Sequence, residues 1–282
     1  MIVLNNGVLE VQIDKIGAEI RKVIKDGKDR MWSGDPSHWA GVAPLLFPIV
    51  SGLPNDEYTY NGKTYEMQKH GFIRKYPFEV EATADDTATF MFSSNEETLK
   101  NYPWKFEIRI KYTLINDKIK VEYFILNKSD NIMYYSIGSH EGYACPEGIE
   151  KYDVVFEKEE ILENCLLEGP VLSGETVPVL TSGKVLPLKE EYFKLDALIF
   201  KNIQSRKASL VNRQTGLTTN VLFPECEYLL LWHPVGAPFM CIEPWEGICS
   251  TKGDSGDITE KEGIIALESK VEKTHSHIIE FK

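Results

Sequence analysis

Apolar and polar residues alternate with a period of two along much of the chain. Phe106, Ile108, Ile110, Tyr112 and Leu114 are separated by Glu107, Arg109, Lys111 and Thr113. Past Asn116-Asp117 the alternation resumes through Ile119, Val121, Tyr123 and Ile125. Successive side chains of a strand point to opposite faces, so these runs predict two half-buried strands joined as a hairpin. Tyr58-Thr59-Tyr60, Asn61-Gly62 and Lys63-Thr64-Tyr65 predict a second hairpin, because Asn-Gly supplies the positive φ of a type I′ turn. Further β-rich runs fall at 7–13, 87–93, 152–157, 197–203, 207–212, 217–223, 228–232, 239–243 and 277–281. Helical signals are poor. The best is 94–100, with a capping residue and early acids, and Pro103 closes it after about two turns. Many strands with turn residues between them predict an all-β fold, a large antiparallel β-sandwich. No linker, composition change or internal repeat divides the chain, so residues 1–282 read as a single domain.

Composition narrows the roles such a fold can serve. The chain has 282 residues and is 43% hydrophobic, enough for a large core. With 31 Lys and Arg against 43 Asp and Glu, the net charge is 31 − 43 = −12. Such a surface repels phosphate backbones and anionic lipid, which argues against nucleic-acid and membrane-surface partners. No apolar run has the length of a transmembrane helix, and Met1-Ile-Val-Leu-Asn-Asn lacks the basic region of a signal peptide. Cys145, Cys165, Cys226, Cys241 and Cys249 are odd in number and widely spaced. They fit reduced thiols in a cytoplasmic protein better than a disulfide framework.

Candidate chemistry sits where apolar segments are broken by short polar ones: His70-Gly71-Phe72, Ser139-His140-Glu141 and Ile242-Glu243-Pro244-Trp245. Two imidazoles and a carboxylate suffice for proton transfer near neutral pH, with no cofactor or metal required. Glu243 ends an apolar stretch, where desolvation raises a carboxyl's pKa and basicity. Phe72 offers an apolar wall for a ligand. Asp196, before Ala197-Leu-Ile-Phe200, shares the strand-end setting and suits a hydroxyl. Trp245 reads as a stacking partner for a ligand or as core. Gly253-Asp254-Ser255-Gly256 looks like a protease nucleophile segment but lies in a polar stretch and reads as a turn. His275-Ser276-His277 reads as exposed histidines rather than metal ligands, and Asp85-Asp86 and Glu157 to Glu160 as solvated turns or edges.

Leu46-Phe47-Pro48-Ile49-Val50, His70-Gly71-Phe72-Ile73-Arg74, Gly138-Ser139-His140, Asp196-Ala-Leu-Ile-Phe200 and Ile242-Glu243-Pro244-Trp245 occur in that order. Together they resemble the aldose 1-epimerase (galactose mutarotase) superfamily in its LacX-like branch, over nearly the whole chain. The resemblance implies a supersandwich with a monosaccharide site on its concave face. It implies His140 as general acid at the sugar ring oxygen and Glu243 as base at the anomeric hydroxyl. His70, Arg74 and Asp196 would bind and orient the sugar.

Two positions depart from the family's pattern. Ser51-Gly52 stands where Gly-Arg is usual, which removes a guanidinium and argues against a hexose 6-phosphate. Glu141 stands where proline is common, and its charge beside His140 is expected to raise that histidine's pKa. The expected activity is anomer interconversion of a free hexose, by a monomer or homodimer. A sugar-binding module without turnover, or hydrolysis by Glu243 with Asp196, remain open as alternatives.

Overall fold

The computed structural model describes residues 1–282. A nine-stranded sheet runs through Val171–Pro187, Tyr152–Glu168, Lys207–Asn212, Thr218–Leu222, Glu272–Phe281, Lys118–Asn127, Phe106–Ile115, Thr87–Ser93 and Glu79–Thr83 in spatial order. Every neighbouring pair in it is antiparallel. A second sheet packs against it, with Leu198–Phe200, Tyr228–Trp232 and Phe239–Glu246 in order. Both Ile137–Gly138 and Glu141–Ala144 pair with the far side of Phe239–Glu246. A four-stranded sheet of Ile2–Asn5, Leu9–Ile13, Ile20–Lys25 and Lys28–Asp29 completes the N-terminal side.

Patterning and burial agree where a sheet has one wet face. Phe106–Ile115 and Lys118–Asn127 form the expected hairpin and alternate buried with half-buried residues nearly throughout. Asn61 and Gly62 both take positive φ, at 50° and 74°, between Glu57–Tyr60 and Lys63–Glu66. The helix is Glu96–Asn101, capped by the Asn95 side chain at the N–H groups of Glu97 and Thr98.

Phe239–Glu246 does not alternate; all but Glu246 is buried. Its sheet is covered on both faces. Ile242, Leu229 and Leu231 join the core between the sheets. Leu230, Ile199 and Trp245 join a separate cluster with Leu46, Val50 and Leu172. That second cover comes from the loop around residues 46–50 and from the long hairpin 152–187. The cavity described below opens in it.

Two expectations are corrected here. Val171–Pro187 is a strand the hydrophobic pattern did not indicate, because most of it is a solvent-facing ribbon with no regular alternation. The acidic run 157–160, expected as a solvated turn or edge, lies inside Tyr152–Glu168 with residues 157–159 exposed, but Glu160 is buried. Its carboxylate accepts the backbone N–H groups of Gln204 and Ser205, which explains a charge at that depth.

Candidate active site

The register of the second sheet brings the two polar breaks together. Gly138 pairs with Trp245 and Glu141 with Ile242, so His140 falls directly opposite Glu243 on the adjacent strand. Side chains at opposed positions project from the same face. Leu230 is the partner of Glu243 on its other side, and Ile199 the partner of Leu230. One row across four strands therefore reads His140, Glu243, Leu230, Ile199. All four line a cavity of about 390 Å³. Gly138 is required at its position, since a Cβ there would sit 2.3 Å from Trp245 Cδ1.

His70 arrives from a different part of the chain. The loops at 47–51 and 70–73 are laced by backbone hydrogen bonds, Phe72 N–H to the Phe47 carbonyl and His70 N–H to the Ser51 carbonyl. Gly71 lies at φ +65°, and a Cβ there would meet Phe47 O at 2.2 Å. The Ser51 N–H donates to His70 Nδ1 at 3.0 Å. That nitrogen must hold a lone pair, so the proton of neutral His70 is on Nε2. Burial, reinforced by neighbouring His140, keeps the His70 pKa well below 6.5. His70 is thus a neutral donor, its ring centroid 5.6 Å from that of His140 and 5.8 Å from that of Trp245.

His140 Nδ1 and Glu243 Oε1 are 3.5 Å apart. His140 Nδ1 and both Glu243 carboxylate oxygens are buried with no hydrogen-bond partner. Orphaned groups of this kind are rare in a folded interior; Ser139 Oγ, Glu141 Oε2, Tyr143 Oη and His277 Nε2 are also unpartnered, but of these residues only His140 and Glu243 line the cavity. Burial drives both groups toward their neutral forms: His140 falls to about 3, and Glu243 rises well above 4.5. The proton of the pair is therefore favoured on the carboxyl. The Lys69 ammonium at the cavity wall opposes this by stabilising the carboxylate.

The upward push expected of Glu141 on His140 is present, but it is not the deciding influence. Glu141 follows His140, so its side chain points to the opposite face, into the core between the sheets. Its carboxylate lies 2.9 Å from His277 Nε2. Its charge does act upward on His140, but desolvation of the imidazole outweighs it. His275 and His277, expected at the surface, are both buried. His275 joins Glu246 at 2.5 Å through Nδ1 and the Tyr135 hydroxyl at 2.7 Å through Nε2.

A protein-family model described as aldose 1-epimerase matches residues 1–250. The chain is 34% identical over 273 residues to the plasmid form of protein LacX from Lactococcus lactis subsp. lactis, covering 91% of both. This chain belongs to the aldose 1-epimerase family. The crystal structure of a galactose mutarotase related enzyme from Lactobacillus acidophilus matches with a TM-score of 0.94 at 32% identity, over 100% of this chain and 97% of that one. A galactose mutarotase-like protein from Lactobacillus casei also gives 0.94, at 27% identity and full coverage of both chains.

Within this aldose 1-epimerase fold the other candidates fall as follows. Asp196 and Trp245 line the cavity with His70, His140 and Glu243. Arg74 does not. Its guanidinium donates to the carbonyls of Lys69, His70 and Gly71, and so holds the His70 loop from behind. Phe72 packs against Tyr76, Tyr102 and Phe106 in the core rather than walling the cavity. The 253–256 turn borders a separate cleft with no lining histidine, and Ser255 Oγ donates to Glu260.

Three lining residues were not singled out from the sequence. Trp39 stacks on His140 with centroids 4.8 Å apart, Trp232 meets the same ring edge-on at 5.4 Å, and Lys69 precedes His70. Trp232 alone was recoverable, since it shares a face with Leu230 on a run already read as a strand. Gly52 is explained by the hairpin tip: a Cβ there would stand 2.6 Å from Pro170 Cβ and 2.7 Å from its carbonyl oxygen. Pro170 occupies the space a longer side chain would need.

Proposed function

We propose that this aldose 1-epimerase interconverts the α and β anomers of a free hexose through one proton shared by His140 and Glu243. The observation that carries the reading is the 3.5 Å approach of Nδ1 to Oε1, both unpartnered and both at the wall of one cavity. Ring opening needs a proton delivered to the ring oxygen and another removed from O1, and those oxygens share one carbon. His140 delivers the first and the Glu243 carboxylate removes the second. Rotation about C1–C2 and reclosure with the roles reversed give the other anomer.

Because each half-reaction is the reverse of the other, the donor of one step is the acceptor of the next. A pair holding a single mobile proton meets that need. Burial favours the proton on Glu243, and Lys69 together with sugar hydroxyls would offset the burial of the charged form. General acid–base catalysis contributes roughly 10²–10⁴-fold, or about 3–5 kcal/mol of barrier. Mutarotation proceeds unaided in water, so this contribution is sufficient. His70 Nε2–H and Asp196 would hold ring hydroxyls, with Trp39, Trp232 and Trp245 against the C–H faces.

The test is anomer exchange of freshly dissolved α-glucose and α-galactose, followed by polarimetry or NMR. Glu243→Gln and His140→Asn are each expected to lower the enzymatic rate by about 10²–10⁴-fold. Exchange as fast as in the intact protein in both variants would end the assignment. Turnover of glucose 6-phosphate well above that of glucose would overturn the preference for a free sugar.

A further inference from the structure

Cys241 is fully buried and takes no part in the proton transfers described above. It lies two residues before Glu243 on Phe239–Glu246, and hence on the same face. Its Sγ, His140 Nδ1 and a Glu243 carboxylate oxygen all lie within 4.8 Å of one another. We propose that these three side chains form a binding site for a borderline-soft divalent transition-metal ion of the zinc type. Bound there, the ion would take the place of the sugar's reacting oxygens and switch the site off.

The donor set selects the ion. A thiolate, an imidazole and a carboxylate are the ligands zinc takes, whereas calcium and magnesium prefer oxygen ligands alone. Bonds of about 2.0–2.3 Å hold the ligand atoms of a tetrahedral zinc roughly 3.3–3.6 Å apart. The His140–Glu243 pair is at that separation already, at 3.5 Å. The thiol, within 4.8 Å of both, would close the remaining distance on binding.

Two further features favour occupancy. His140 Nδ1 and both Glu243 oxygens have no hydrogen-bond partner, so ligation breaks no existing contact of theirs. A divalent ion with one thiolate and one carboxylate is also neutral overall, which avoids burying a net charge. On binding, the thiol and the protonated carboxyl release their protons to solvent, and no electron is transferred. Three protein ligands leave the fourth position of the ion facing the cavity, as in open zinc sites. Metal and sugar would then exclude each other.

The experiment titrates the reduced, chelator-treated full-length chain with Co²⁺ and reads its absorption spectrum. Expected are a thiolate-to-cobalt charge-transfer absorption in the near ultraviolet and its loss when Zn²⁺ displaces the cobalt. Cys241→Ser and Cys241→Ala should each abolish that absorption and weaken Co²⁺ binding at least about 100-fold, more than loss of an outer hydrogen bond to a ligand gives. Both should leave metal-free anomer exchange unchanged. Glu243→Gln, which keeps the thiol, should weaken Co²⁺ binding as well. The proposal is overturned if no charge-transfer absorption forms, or if it survives in both Cys241 variants, which would place the metal on another thiol. Because the readout needs no sugar, its failure is separable from failure of the anomer-exchange reading.

Discussion

Two histidine–carboxylate pairs stand back to back on opposite faces of the same sheet. His140 and Glu243 face the cavity, 3.5 Å apart with their near atoms unpartnered. Glu141 and His277 face the core between the sheets, closer at 2.9 Å, although His277 Nε2 and Glu141 Oε2 also lack a hydrogen bond of good geometry. All four residues are buried, and His140 and Glu141 are neighbours in sequence. Burial and residue type therefore do not separate the reactive pair from the structural one. The environments do. Burial would raise the Glu141 pKa, but the His277 imidazole and the Ser139 hydroxyl bring it below 4.5, as in an ion pair. Around Glu243 burial outweighs the Lys69 ammonium and the Trp245 indole, which also favour the carboxylate, and its pKa rises. The core-facing pair is held by the close approach of imidazole and carboxylate. Under the proposed mechanism, the cavity pair is the one that substrate would complete.

The largest expected difference is in rate. Glu243→Gln should remove about 10²–10⁴-fold of anomer exchange, while Glu141→Gln should leave the rate of the folded protein within about tenfold, since its side chain touches no reacting atom. A loss in Glu141→Gln equal to that in Glu243→Gln would erase the distinction between the faces.

Stability should sort the two variants in the opposite order. Removing one member of a buried ion pair strands the other, so Glu141→Gln is expected to lower unfolding stability by about 3–5 kcal/mol in a denaturant titration. Glu243→Gln removes a buried carboxyl that nothing pairs, and at neutral pH it should raise stability. The sign follows from linkage. The folded pKa of Glu243 lies above its ordinary 4.5. Between those values the native state binds more protons than the unfolded one, and stability falls as pH rises. The advantage of Glu243→Gln should thus vanish near pH 4 and grow with pH, by up to about 1.4 kcal/mol per unit. His140 carries the opposite sign: its folded pKa is depressed from 6.5 to about 3, so its contribution is present above 6.5 and lost as pH falls toward 3. His140→Asn should therefore flatten the acid side of the stability profile. Variants with parallel profiles across pH 3–8 would show that neither group is desolvated in the folded protein.

The same contrast explains which parts of the molecule were legible in the sequence. Phe106–Ile115 and Lys118–Asn127 were readable because one wet face imposes alternation. Ile242-Glu243-Pro244-Trp245 stood out because a carboxylate and a proline interrupt an apolar run. That Glu243 meets His140 was not readable from either segment alone. It follows from a strand register linking residues about a hundred positions apart, which no local pattern encodes. His275 and His277 were misread for a related reason. A polar residue on a strand's inner face looks like one on its outer face until its carboxylate partner is located. Arg74 and Phe72 sat in the right segment, but their side chains leave the loop on its far side, toward backbone carbonyls and core. Trp39 lay in an unpatterned stretch and gave no sign.

The smallest effect tests how far the two faces communicate. Glu141 is expected to raise the pKa of His140, and the structure retains that direction while burial outweighs it. The Glu141 carboxylate lies on the opposite face of the sheet, beside His277, so its influence on His140 is weak next to that of burial. Glu141→Gln should therefore lower the His140 pKa by less than about half a unit. Chemical-shift titration of the His140 imidazole carbons measures this directly. The comparison variant is Trp39→Ala, which removes the ring stacked on His140 and rehydrates it. Since desolvation is the leading cause of the depression, that variant should move the pKa upward, toward 6.5, and by more than Glu141→Gln moves it down. Were Glu141→Gln to shift His140 further than Trp39→Ala does, charge carried through the sheet would set the imidazole's protonation, and the cavity wall would not.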